Sequence, residues 1–219
     1  MKLVSYSTPT KEFEKEGLTD LQELIAFCAK VSNPAAQINT ETSERLIRYL
    51  IKHQHWSPLE MVNAVLEIET TRDIAHQIVR HRSFAFQEFS QRYANPAEMG
   101  EQFITREARL QDPKNRQNSI GIDSESDLHY EWQMKQQKVI DVAKETYDWA
   151  IQAGIAKEQA RVVLPEGNTK TRLYMNGTLR SWVHYIELRG ANGTQKEHMD
   201  IAHACAKVIA EIFPLMEDL

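Results

Sequence analysis

Cysteine is nearly absent: Cys28 and Cys205 are the only two in 219 residues, and each falls on the apolar side of a helical pattern. That excludes a disulfide framework and a cysteine-built metal site, and leaves buried free thiols as the expectation. Glycine is scarce too. The 8 glycines nowhere fall as Gly-x-Gly-x-x-Gly, so a Rossmann crevice for a dinucleotide is excluded. No apolar run approaches the roughly 18 residues of a membrane helix, and Met1-Lys2-Leu3-Val4-Ser5-Tyr6 lacks the apolar core of a signal peptide. A cytoplasmic protein without membrane contact is expected. Positive charge is not in excess, with 26 Lys and Arg against 31 Asp and Glu and a net charge of −5. Sequence-independent binding of nucleic acid needs the opposite balance.

What remains is an ordinary globular composition, 42% hydrophobic and 26% charged. At this length a single domain over residues 1–219 buries roughly 70% of its unfolded surface and needs no staple. The chain carries no internal repeat. Leu3 to Ser7 reads as a strand, and Thr19-Asp20-Leu21-Gln22 as a capping box opening a helix to about Val31 with Leu21, Leu24, Ile25 and Cys28 inward. A second helix spans about 42–53, a half-buried strand 61–70, and a third helix 71–82. Residues from about 95 to 123 form a long loop or insertion, with Asp112 to Ser119 rich in turn formers. A packing helix over 124–153 follows, using Trp132, Val139, Val142, Ala143, Tyr147 and Ala150, with Gly154 as its stop. Then come a short helix over 155–164, a strand over 171–175, a helix over 178–188, and a last helix from about Gln195 to Pro214.

The stretch that points to chemistry is Arg80-His81-Arg82-Ser83-Phe84-Ala85-Phe86-Gln87-Glu88-Phe89-Ser90-Gln91-Arg92-Tyr93. Arg offers a planar fork that matches phosphate, and a charged His donates twice, so four cations and a serine predict a phosphate-bearing ligand. A second reading stands beside it: cations favour the C-terminal end of a helix, and three of them close the one expected over 71–82. Ser90 has no base beside it in sequence, which argues for a phosphate donor rather than a nucleophile. His53 and His55 have the spacing of a metal pair but no third ligand nearby, so no metal site is expected.

Arg-His-Arg, seven residues, then Ser is the signature of the flavin-dependent thymidylate synthases, and residues 80–82 and Ser90 resemble it, with Arg92 and Tyr93 extending the match. Ala85 and Gln87 stand where many members have Ser and Asn. The resemblance continues through His55-Trp56-Ser57-Pro58-Leu59-Glu60, Ala160-Arg161-Val162-Val163-Leu164-Pro165, and Leu188-Arg189. It runs in family order from Ser32 to Glu197.

That resemblance implies an α+β fold with a central antiparallel sheet flanked by helices. It implies reductive methylation of dUMP to dTMP, with methylenetetrahydrofolate as one-carbon donor, FAD as hydride carrier and NADPH as reductant. It assigns Gln77, Arg80, Glu88, Ser90, Arg92, Arg161 and Arg189 to dUMP, and Ser32, His55, Ser57, Arg80, His81, Arg82, Glu88, Thr178, Arg180 and His184 to FAD. Arg189 is the expected catalytic residue, placed to stabilise charge on the pyrimidine. Thr178 departs from the family's Asn, and Asn176 two residues earlier offers the same contact. A homotetramer with shared active sites is also implied. Two alternatives remain: a relative that delivers another group to C5 of dUMP, such as hydroxymethyl, and a stacking platform for single-stranded nucleic acid built on Phe84, Phe86, Phe89 and Tyr93.

Overall fold

The computed structural model describes residues 1–218. Its strands are β1 (Lys2–Tyr6), β2 (Asn63–Thr71), β3 (Ala85–Glu88), β4 (Arg109–Gln111), β5 (Ser119–Gly121) and β6 (Lys170–Thr178). The helices are α1 (Lys11–Lys15), α2 (Leu21–Ala29), α3 (Ser43–Lys52), α4 (Arg72–Ile78), α5 (Asp127–Gln152), α6 (Lys157–Ala160), α7 (Leu179–Gly190) and α8 (Lys196–Ala210). Four strands make an antiparallel sheet in the order β1-β2-β6-β3, and β4 and β5 pair as a separate hairpin. The α+β expectation holds.

β2 and β6 form the centre. All nine residues of β2 pair with β6, from Asn63 opposite Thr178 to Thr71 opposite Lys170. Ala64, Leu66 and Ile68 alternate inward with Leu173 and Met175 and are fully buried, the period-2 pattern of a sheet with one covered face. Trp182, Val183 and Tyr185 of α7 and Ala202, Cys205 and Ile209 of α8 cover that face. A smaller cluster, Tyr147, Ala150, Ala160 and Leu164, joins α5 to α6.

Several expected boundaries move, each for a local reason. The first capping box lies one residue later: Asp20 accepts from the Glu23 backbone, and Glu23 accepts from the backbone of Asp20. The helix expected over 71–82 ends at Ile78. Phe84 must instead turn inward, where its ring meets Trp182 at 4.9 Å, and Ala85 to Glu88 then pair with β6. Arg80 and Arg82 are therefore turn residues, not cations of a last helical turn. The expected 155–164 helix keeps only α6 and a 3-10 turn over Arg161–Val163, since Pro165 supplies no amide to continue it. β6 is longer than the expected 171–175. Residues 95–123 are not one loop, because a 3-10 turn over Pro96–Met99 and the β4–β5 hairpin organise them.

Burial also corrects two readings. Cys205 is fully buried but Cys28 only half-buried. On α5, Ala143, Tyr147 and Ala150 pack inward as expected, while Trp132, Val139 and Val142 stand exposed together with Leu128 and Trp149.

Gly177 is required by close approach. A Cβ built there would overlap the ring of Phe84, so Gly177→Ala must displace the aromatic that anchors the Arg80–Phe84 turn. A destabilisation of about 1–3 kcal/mol is expected, in the range of overpacked cores. Denaturant titration checks it, and an unchanged midpoint would refute the packing role.

Candidate active site

The cofactor-side residues begin in the turn after α3. Gln54 takes a positive φ of 58° there, and Ser57–Glu60 form a 3-10 turn started by Pro58. This turn packs on α2 and on α7. The Arg180 guanidinium of α7 pairs with the Glu60 carboxylate, and the His184 ring lies edge-on to Trp56 at 4.6 Å. Thr178 caps α7, its hydroxyl accepting from the Ser181 amide at 3.2 Å. Its hydroxyl is thereby occupied, while Asn176 is exposed on β6. Ser181 in turn donates to the Ser83 carbonyl at 3.5 Å, tying the Arg80–Phe84 turn to the same end of β6. The fold thus gathers His55, Ser57, Thr178, Arg180 and His184 beside the turn. Ser32 is exposed on the turn after α2.

Arg80 and Arg82 point away from the core and form no ion pair among the described residues. Their turn runs along α7, from His81 on Arg189 in its last turn to Ser83 on Ser181 in its first, and two open guanidinium forks suit a pyrophosphate. His81 differs from them. The Nε of Arg189 donates to its Nε2 at 2.9 Å, so the ring is an acceptor there and is neutral. Burial, then the Arg189 charge, push its pKa down, which corrects the expectation of a doubly donating His81.

Behind His81 lies a line of polar groups. Gln77 Nε2 donates to Gln195 Oε1 at 2.8 Å, and Gln77 Oε1 meets His198 Nδ1 at 3.2 Å. His198 Nε2 meets the Tyr185 hydroxyl at 3.0 Å. His198 is fully buried. Burial, followed by the charges of Arg189 and His81, pushes its pKa down to about 4. Gln195 Nε2 donates to Glu197 Oε2 at 2.9 Å, and Arg109 of β4 pairs with Glu197 Oε1 at 2.6 Å.

The remaining predicted residues sit elsewhere. Glu88 ends β3, accepting from Arg72 at 3.1 Å and from the Thr171 hydroxyl at 2.9 Å. Arg92 pairs with Glu158 of α6 at 3.5 Å. Lys157 of α6 donates to the Tyr93 carbonyl at 3.1 Å, and Arg161 follows directly after α6. Glu88 is opposite Leu173, five residues from Thr178 along β6, which is about 17 Å of antiparallel strand. Glu88, with Ser90 and Arg92 just beyond it, therefore lies toward the opposite end of that strand from Thr178.

The His53 ring lies tilted against Tyr49 at 4.2 Å and the His55 ring edge-on to it at 6.2 Å, and no group of three or more His, Cys, Asp or Glu is placed to hold a metal among the described residues. No described helix is long and apolar enough to cross a membrane. Sequence reasoning missed Glu60, although it closes the segment that singled out His55 and Ser57. It also read Gln195 and Glu197 only as a helix start, and passed over His198.

Comparison with known proteins adds the following. The family model described as Thy1, thymidylate synthase complementing protein, matches residues 16–215. A protein of Paramecium bursaria Chlorella virus 1 is 48% identical over 213 residues, 97% of this chain and 94% of its own. The flavin-dependent thymidylate synthase of Synechocystis sp. is 44% identical over 214 residues, 98% and 95% respectively. Among solved structures, the UMP/dUMP methylase PolB from Streptomyces cacaoi, bound with 5-Br dUMP, is similar with a TM-score of 0.81 and 25% identity. The match covers 99% of this chain and 92% of PolB.

Proposed function

The chain belongs to the thymidylate synthase complementing protein family, that of the flavin-dependent thymidylate synthases, and from that membership we propose how its residues convert dUMP to dTMP. The flavin is FAD, the one-carbon donor methylenetetrahydrofolate and the reductant NADPH. One observation carries the reading: Arg80 and Arg82, exposed and without an ion pair among the described residues, sit on the turn that Ser83 ties to Ser181 of α7, the helix that also sets Arg180 and His184 against the Trp56–Glu60 segment. These residues hold FAD, with Ser32, His81 and Glu88 completing the set. FAD, once reduced, supplies the hydride.

Ser90, Arg92 and Arg161 bind the dUMP phosphate, and Gln77, Arg80, Glu88 and Arg189 surround the rest of the nucleotide. Arg189 is fixed by its hydrogen bond to His81, so its charge needs no reorganisation when the pyrimidine becomes electron-rich. PolB, which shares the fold, was solved with a brominated dUMP, in keeping with a uracil nucleotide as ligand.

The site is shared between subunits of a homotetramer. Two features favour this. Ser90 and Arg92, together with Glu88, lie toward the opposite end of β6 from Thr178 of the same chain, too far apart for one compact nucleotide site. One face of α5 also carries a heptad stripe, Leu128, Trp132, Lys135, Val139, Val142, the half-buried Thr146 and Trp149, alternating steps of four and three as in a helix that packs along another helix. Five of the seven are apolar, and such a stripe on a 26-residue helix is fit to be covered by a second copy.

Visible absorbance of the purified protein, with FAD supplied, tests the reading. Flavin bands that shift on addition of dUMP are expected, followed by turnover to a product with the mass of dTMP. Absence of flavin binding would overturn the site, and a hydroxymethylated product would overturn the reaction.

A further inference from the structure

A carboxamide such as that of Gln77 has nearly the same shape after a half-turn about its last bond, yet it then exchanges donor for acceptor. Its neighbours decide which way it faces, and here the decision starts at Glu197. Burial acts to raise the Glu197 carboxyl, but hydrogen bonds from its own amide and from Gln195, with the Arg109 charge, outweigh it and hold the pKa low. An ionised carboxylate only accepts.

Every later link then has one polarity. Gln195 must turn its amide N–H to Glu197 Oε2 at 2.9 Å. Its carbonyl is left to accept from Gln77 Nε2 at 2.8 Å. Gln77 must therefore direct Oε1 at His198 Nδ1, 3.2 Å away, and this nitrogen must carry the imidazole proton. The bare Nε2 accepts from the Tyr185 hydroxyl at 3.0 Å. A flipped Gln77 would set oxygen against oxygen at Gln195 and N–H against N–H at His198.

We propose that His198 is a positioning residue for the bound nucleotide: with Glu197 and Gln195 it locks the carboxamide of Gln77 in one orientation. Gln77 then offers its remaining N–H and carbonyl lone pair in a fixed order. The line also gives the β4–β5 hairpin a part in the site, since Arg109 of β4 fixes the carboxylate at its origin at 2.6 Å. The role of His198 rests on the reading of Gln77 as a substrate-side residue, but the polarity of the line does not.

Two variants separate positioning from packing. In His198→Asn the amide nitrogen takes the place of Nδ1 and keeps the donor to Gln77. In His198→Gln the polar atoms lie at the Nε2 position and serve only Tyr185. Each variant gives up one hydrogen bond, so similar thermal midpoints are expected. With flavin-loaded protein and dUMP followed by calorimetric titration, His198→Asn should bind within about threefold of the parent and His198→Gln at least about tenfold more weakly, the effect of one misdirected buried donor. Gln77→Ala is measured alongside.

Weakened binding in Gln77→Ala beside normal binding in His198→Gln would overturn the positioning role. Unchanged binding in Gln77→Ala would overturn the substrate-side reading of Gln77, and the positioning role with it. The imidazole nitrogen resonances of His198, identified by their loss in His198→Asn, test the polarity independently. A neutral ring protonated at Nδ1 is expected near neutral pH, and a proton on Nε2 would overturn the line.

Discussion

Arg189→Ala is expected to leave FAD bound and to lower turnover at least about a hundredfold, the usual effect of removing one fixed electrostatic donor. The argument is one of preorganisation. Arg189 closes α7 and is half-buried. Its Nε is fixed on the neutral His81 ring at 2.9 Å, so its orientation is set before substrate arrives. Negative charge grows on the uracil ring as hydride adds, and a guanidinium already in place stabilises that state more than the ground state. Flavin retention follows because the residues proposed to hold FAD at the start of α7 make their contacts without Arg189: Arg180 with Glu60, His184 with Trp56. Arg189→Lys should recover only part of the loss, since an ammonium keeps the charge but not the planar fork. Steady-state turnover at saturating dUMP, read with the flavin spectrum, checks this. Near-normal turnover in Arg189→Ala would remove it from the chemistry.

Trp182→Ala should be the most damaging change to the fold, at about 4 kcal/mol, in the range for deleting a large buried aromatic. Trp182 is fully buried between α7 and the sheet. Its indole N–H donates to the Ala64 carbonyl of β2 at 3.1 Å, and its ring packs edge-on against Phe84 at 4.9 Å and Tyr185 at 6.0 Å. One side chain thus couples the central strand, the helix carrying Arg180 and Arg189, and the turn carrying Arg80 and Arg82. Trp182→Phe keeps most of the ring and loses the donor, so roughly 1–2 kcal/mol is expected from a smaller cavity and one hydrogen bond. Denaturant titration at fixed protein concentration gives both values, because association of the proposed subunits would make the midpoint depend on concentration. Flavin occupancy should fall with stability in Trp182→Ala as Phe84 loses its support. A loss below about 1 kcal/mol would contradict the coupling.

Much of the architecture was legible in the chain. The half-buried strand expected over 61–70, the helix expected over 178–188, and the stop at Gly154, which takes a φ of 82°, rest on local patterns that survive folding. The Arg80–Tyr93 stretch was legible as an anion-binding segment because residue type alone fixes what a guanidinium binds. Boundaries near Phe84 were not, since the helix ends where an aromatic must reach Gly177 and Trp182, about a hundred residues later in the chain. The α5 stripe was misread for a related reason: apolar spacing marks a face to be buried without saying what buries it.

The sequence by itself determined the chemistry on offer: forks for phosphate, no dinucleotide crevice, no cysteine nucleophile on an exposed face, and helices and strands whose periods give a covered antiparallel sheet. Only the tertiary structure decided which groups meet. It paired Glu60 with Arg180, made His81 an acceptor for Arg189, set Ser90 and Arg92 at the other end of β6 from Thr178, and joined Gln77 to Gln195 across 118 residues. Hydrogen bonds of that kind depend on angles and distances between side chains from distant segments. Local periodicity carries no record of them, because it records only which way each residue faces along its own element.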